Sequence, residues 1–177
     1  MHGMIFAELK KFVVVGLGAE AWNSITAASG NQVYLPSQAY DDGELLRLVA
    51  TASELTGKPA AELVEAFGEF IVPSLVRAYG AHINPVWRTL DLLEHTEATI
   101  HRVVRASTPG ATPPRLSVRR IAPGKVVIEY ASQRRMCALA KGIVRGISKH
   151  FSETITIDEP ACMLLDAPTC QLHVSLA

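Results

Sequence analysis

In the first half of the chain, apolar residues recur at intervals of three and four. The interruptions carry Gly, Pro or Asn, which is the pattern of successive amphipathic helices rather than strands. The spacing predicts helices over Met4 to Gly18 and over Ala19 to Ala28, followed by a loop through GNQVYLPSQAY. Asp41 and Asp42 at the end of that loop are placed to cap a helix from Gly43 to Leu55, which Thr56-Gly57-Lys58-Pro59 then stops. A further helix runs from Pro59 to about Tyr79. Pro73 inside it predicts a kink or break, because proline removes a backbone donor and crowds the preceding turn. Asn84-Pro85 opens a long helix reaching about Ser107. Beyond the loop PGATPPRL the period changes to two: Leu116 to Ile121 and Lys125 to Ala131 alternate around Ala122-Pro123-Gly124, which predicts a hairpin. Gln133 to His150 returns to helical spacing, with Met136, Ala140, Ile143 and Ile147 on one stripe. Strands are expected near Thr154 to Asp158 and Cys170 to Leu176. Helices, hairpin, helix, hairpin describe an α+β domain with an antiparallel sheet.

Composition narrows the functional classes. The 177 residues suit one domain, and 17 Lys and Arg balance 17 Asp and Glu, so no net field attracts nucleic acid or an acidic membrane surface. The longest apolar runs, Phe12 to Leu17 and Phe70 to Val72, are far shorter than the ~20 residues that cross a bilayer. The N-terminal stretch has two lysines within its apolar run and no cleavage pattern, which reads as an amphipathic helix rather than a signal peptide. Three cysteines, Cys137, Cys162 and Cys170, are an odd number without close pairing, which argues for a reducing compartment and a cytoplasmic location. No Ser/His/Asp set, phosphate loop or paired carboxylates points to catalysis, and Gly16-x-Gly18 alone is too sparse to count.

Two groups of residues carry candidate chemistry. His95 and His101 share the long predicted helix, but six positions place them about 120° apart. His101 lies beside the stripe Leu90, Leu93, Ile100 and Val104, and His95 beside Asp91 and Arg102. An imidazole facing an apolar core is suited to ligate a metal such as a haem iron, although taken alone it reads first as a hydrogen-bonded core residue. Tyr130, Ser132 and Arg134 follow one another at intervals of two where a strand gives way to a helix. Together they offer a phenol, a hydroxyl and a guanidinium to a pair of carboxylates. Singly they suit sheet packing, a helix cap and solvation.

In combination these features resemble the haem nitric oxide/oxygen binding (H-NOX) family. The start MHGMIF, the stretch IHRVVRASTPGATPPRL with His101 twelve residues before Pro113, and Tyr130-x-Ser132-x-Arg134 occur in the family's order and spacing. The resemblance covers essentially the whole chain. It implies a single haem-binding domain with a helical part over about residues 1–80. A mixed helix and sheet part over about 81–177 contains a four-stranded antiparallel sheet, with haem b between the two. By the resemblance, His101 ligates the iron and Tyr130, Ser132 and Arg134 hold the propionates. Ile5 and Pro114 press the macrocycle out of plane, for which a β-branched side chain and a rigid ring are suited. The position of the distal tyrosine in O2-binding members matches Leu139, with Leu9 and Phe70 at the supporting polar positions and Met136 as nearby packing. The absence of a donor implies a sensor that binds nitric oxide and discriminates against O2, since NO binds ferrous iron without such help. The implied signal is release of His101, relaxation against Ile5 and Pro114, and a rotation of the two parts. Because the chain stops soon after the last strand, the expected reader is a separate protein, such as a histidine kinase or a diguanylate cyclase or phosphodiesterase.

The cysteines lack CxxC spacing, so buried thiols are the plain expectation. Part of the H-NOX family has a zinc site with cysteines matching all three. Its histidine falls at Glu159, which makes a Cys3Glu site chemically possible, with His150 or His173 as substitutes. Without metal, Cys162 and Cys170 are placed for a reversible disulfide. The rival function is therefore a cysteine or zinc redox sensor in which haem is secondary.

Overall fold

The computed structural model describes residues 1–27 and 33–177. The helix end expected at Ala28 and the start of the loop after it, residues 28–32, lie outside the described residues. Four helices come first: α1 (Gly3–Leu17), α2 (Ala19–Thr26), α3 (Asp42–Thr56) and α4 (Ala60–Tyr79). His2 caps α1, its Nδ1 accepting from Met4 N at 3.1 Å. Gly57, at φ 68°, ends α3 in the left-handed conformation that glycine enters at least cost. Asp41 does not cap α3 with its side chain. Pro73 does not break α4, whose 20 residues run on through it to Tyr79.

The long helix expected up to Ser107 is divided. After α5 (Thr89–His95) comes one π-helical turn (Glu97–His101), then α6 (Arg102–Ser107). The wide turn is closed by His101 N donating to Thr96 O at 3.0 Å, five residues back. Side chains recruit the neighbouring carbonyls, with Thr96 Oγ1 on Leu92 O and Thr99 Oγ1 on His95 O. Such competition with the helical ladder is a known cause of local irregularity.

The sheet comprises β1 (Arg115–Ala122), β2 (Lys125–Ala131), β3 (Ile155–Ala161) and β4 (Cys170–Leu176), all pairings antiparallel, in the order β1-β2-β4-β3. The helix between the hairpins, α7 (Cys137–His150), begins four residues later than its periodicity suggests. Arg135 takes a positive φ of 50°, and Arg135 N bonds back to Ser132 O, so the chain makes a turn first.

Helix α7 packs against α4 through glycines. A Cβ on Gly142 would lie 2.0 Å from the Glu65 carbonyl oxygen, and one on Gly68 would lie 2.5 Å from that of Leu139. The Glu69 carbonyl, whose helical donor Pro73 lacks, sits against Gly146, 2.8 Å from where its Cβ would be. Glu65–Arg145 and Glu69–Lys149 ion pairs flank the contact. One apolar core gathers Phe6, Trp22, Leu45, Leu48, Phe67 and Ile71 among the N-terminal helices. A second lies between α5, α7 and the sheet, where Val126, Ile128, Leu172 and Val174 alternate inward.

Candidate functional site

Between the two cores lies a cavity with almost wholly apolar walls. Helix α1 contributes Ile5, α4 contributes Val72, Leu75 and Val76, and α7 contributes Leu139, Ala140, Ile143, Val144 and Ile147. His101 enters from the π-helical turn beside Ile100 and Val104, and the loop after α6 adds Pro113 and Pro114. The ring is mostly covered, with 14% of its side chain exposed. Its Nδ1 lies 2.8 Å from Glu97 Oε2. Burial pushes the imidazole below its ordinary value, against the opposing hydrogen bond and charge of Glu97. A neutral imidazole follows at physiological pH. With Nδ1 held by the carboxylate, Nε2 is the nitrogen left for a metal. His95, by contrast, lies tilted against Trp87 with ring centroids 4.4 Å apart.

Glu97 was not evident from composition or motif, although its spacing of four from His101 on one helical segment is the available signal. It is itself held in place: Leu116 N donates to Oε2 at 3.3 Å and the Arg105 guanidinium pairs with Oε1. Burial acts to raise its carboxyl, but the bonds from His101 and Arg105 outweigh it and the group is shifted below its usual range.

Tyr130 and Arg134 both line the cavity. Ser132 does not: the chain ceases to be extended after Ala131, and Ser132 Oγ accepts from Arg134 N at 3.2 Å. The turn keeps the Ser132 hydroxyl off the wall but beside the Tyr130 phenol, to which it is hydrogen-bonded. Burial pushes the Tyr130 phenol upward against hydrogen bonds from Ser132 and the Met136 backbone. The Arg134 guanidinium is anchored by Thr112, Nη1 on its carbonyl at 2.5 Å and Nη2 on its hydroxyl at 2.6 Å. Arg134 Nε lies 2.7 Å from Asp42 Oδ2, while the N-terminal ammonium of Met1 lies 2.7 Å from Oδ1. Rather than serving as a helix cap, Asp42 is an electrostatic link between the N-terminal helices and the arginine.

Leu139 and Met136 stand on the cavity wall, whereas Leu9 and Phe70 do not. Leu9 lines a second apolar cavity of about 510 Å³ among α1 to α4, and Phe70 packs on Phe12.

Away from this cavity, Cys137, Cys162, Cys170 and Glu159 converge, their ligand atoms all within 4.8 Å of one another. The sulfurs of Cys137 and Cys162 are 3.5 Å apart, and all three thiols are free. Burial pushes the Cys137 thiol up to about 12, with Cys162 adding to the shift, and the Cys170 thiol is also raised. Lys141 pairs with Glu159 at 2.7 Å. Neither His150 nor His173 joins the group. His150 ends α7 about 20 Å from Cys137 along the axis, and strand alternation turns His173 to the face opposite Cys170.

The residues on the first cavity fit a haem. A neutral imidazole, apolar walls wide enough to draw from α1, α4, α7 and the sheet, and a guanidinium and phenol at the Arg134 corner match an axial ligand, a macrocycle and its carboxylates. A solved H-NOX protein from S. oneidensis in the Fe(II)NO ligation state has a TM-score of 0.94 to this structure at 26% identity, covering 100% of this chain and 99% of that one. The NMR structure of an H-NOX domain from Shewanella oneidensis in the Fe(II)CO state gives 0.91 at 26%, covering 100% and 99%. The unliganded Fe(II) H-NOX protein of K. algicida, at 22% identity with 100% and 97% covered, shares the fold with a TM-score of 0.90. Soluble guanylate cyclase gcy-35 of Caenorhabditis elegans is 26% identical over 166 residues, 87% of this chain but 23% of that protein's length.

The fold and the site together define a haem-based gas-sensing domain. The chain belongs to the haem-NO-binding family, H-NOX, whose model matches residues 2–159.

Proposed function

We propose that this protein is a haem b sensor that binds nitric oxide on the ferrous iron, excludes O2 and signals to a separate partner. In this reading residues 1–80 and 81–177 form one sensing unit. Haem, when bound, supplies a ferrous iron able to take a diatomic gas. His101 ligates it through Nε2. Tyr130 and Arg134 hold the propionates, with Ser132 supporting them by fixing the turn that carries Arg134. Ile5 and Pro114, both on the cavity wall, bear on the macrocycle. Cysteine attachment is disfavoured because no Cys-x-x-Cys-His is present, which supports the b form.

The observation that supports NO selectivity is that all the residues α1, α4 and α7 contribute to the cavity are apolar, Leu139 among them. Bound O2 finds no hydroxyl there, and a missing hydrogen bond to a ligand carrying charge costs about 1.5–3 kcal/mol. His101 would then be the trigger: released from the iron, it would free the π-helical turn that carries it, for a histidine kinase or a diguanylate cyclase or phosphodiesterase to read. The chain carries balanced charge, and no described helix is long and apolar enough to cross a membrane.

Absorption spectra of the reduced protein, with NO and in air, test this for the wild type and His101→Gly. A five-coordinate ferrous haem that takes NO, is unchanged by air and loses its native ligation in the variant is the expected result. Ligation unchanged by the substitution would overturn it.

A second reading has its own support in the convergence of Cys137, Cys162, Cys170 and Glu159. These residues suit a tetrahedral zinc site, in which Glu159 exchanges Lys141 for the metal. The raised thiols disfavour metal-free redox sensing, because the thiolate is the reactive form.

A further inference from the structure

We propose that Glu97 is a positioning residue that sets how tightly His101 holds the iron, and thereby how readily a bound gas releases it. The inference rests on the reading of His101 as the iron ligand. Its carboxylate lies 2.8 Å from His101 Nδ1 within the same π-helical turn. Within that turn the two side chains meet while His101 stays on the cavity wall. An anionic acceptor on Nδ1–H fixes the tautomer, aims the ring and makes the opposite nitrogen a stronger donor.

Two further contacts make Glu97 more than a chance neighbour. Leu116 N, at the start of β1, donates to the same oxygen that faces His101, and Arg105 occupies the other. The carboxylate is thus held as an anion, and part of its charge is taken by Arg105. Because Leu116 belongs to the sheet and Arg105 to α6, the carboxylate ties the ligand to elements on both sides of it. Were His101 to leave the iron, the Glu97 bond would restrain the ring and link its motion to the turn and to β1.

Two substitutions act in opposite directions. Glu97→Gln keeps the size but removes the charge, so it weakens the donor. Arg105→Gln leaves the carboxylate less neutralised, so it strengthens the donor. The measurement is the iron–histidine stretching frequency of the reduced haem protein by resonance Raman, together with the ratio of five- to six-coordinate NO complex. Glu97→Gln is expected to lower the frequency and shift the ratio toward five-coordinate by roughly tenfold, the smaller end of outer-shell effects on metal sites. Arg105→Gln is expected to raise the frequency and shift the ratio the other way. Glu97→Asp, which keeps the charge, is expected to restore part of the wild-type signature. A merely structural role predicts the same direction for both substitutions, and that result, or no shift in either, overturns the proposal. If the wild type has no iron–histidine band and His101→Gly changes nothing, the ligand assignment itself fails, and the two failures are thereby distinguished.

Discussion

The crossing of α4 and α7 is the contact on which the cavity's shape depends, because both helices line it, and it tolerates no side chain at its centre. In Gly142→Ala the added Cβ would sit 2.0 Å from the Glu65 carbonyl oxygen and 2.9 Å from Gly68 Cα. Comfortable carbon to oxygen approach is about 3.3 Å or more, so the helices must separate by about 1 Å. No rotamer can relieve a clash between a Cβ and backbone. The cost therefore lies near the upper end of the roughly 1–3 kcal/mol typical of overpacking. Alanine recovers about 1 kcal/mol of helix propensity. The net loss is about 2 kcal/mol, or roughly 4–8 °C in melting temperature for a chain of this size. Gly16→Ala is the control: it lies in α1 with nothing within 4 Å of its added Cβ, so the propensity gain stands alone. Thermal melts followed by circular dichroism on the haem-loaded proteins decide the matter. A Gly142→Ala protein that melts at or above the wild type, or no lower than Gly16→Ala, refutes the argument.

Other perturbations test the site. Leu139→Tyr places a phenol on the apolar wall and is expected to slow O2 dissociation by about tenfold or more, as one hydrogen bond of about 1.5–3 kcal/mol to a ligand carrying charge allows; flash photolysis in air that shows no O2 complex would remove the missing donor as the cause of exclusion. Burial draws the Asp42 carboxyl upward, but Arg134 and the N-terminal ammonium hold it below its ordinary 3.8. Its stabilisation is present above that pH and is lost as pH falls through the lower folded value. Asp42→Asn should therefore melt lower at neutral pH and lose less stability on acidification below about pH 4, and an acid limb parallel to the wild type's counts against the link. If the cysteine cluster holds zinc, the purified protein contains about one per chain and Cys170→Ala contains none; absence of metal from the wild type sinks the Cys3Glu centre.

Much of this protein is legible in one dimension. The periods of 3.6 and 2 locate the helices and both hairpins, because side chains on each element must alternate between core and water. The chemistry of the main site is equally visible in His101 and in Tyr130, Ser132 and Arg134, since each bears a functional group of distinct type. Where the spacing argument fails, backbone irregularity is responsible. An ideal helix through His101 conceals the π-helical turn, and an extended chain through Ser132 conceals the turn at Arg135 that takes the hydroxyl off the cavity wall.

The element types, the antiparallel sheet and the candidate ligand follow from local pattern and side-chain chemistry and are written in the chain. Which groups meet is set by the packing of the folded elements. Cys137, Glu159, Cys162 and Cys170 are drawn together from α7, β3, β4 and the connection between those strands, and neither candidate histidine joins them. Asp42 reaches Arg134 across 92 positions of chain, and Glu97 joins His101 to Leu116 and Arg105. Such meetings depend on packing of distant elements, above all the close approach of α4 and α7 that glycines 68, 142 and 146 permit, and no local periodicity encodes them.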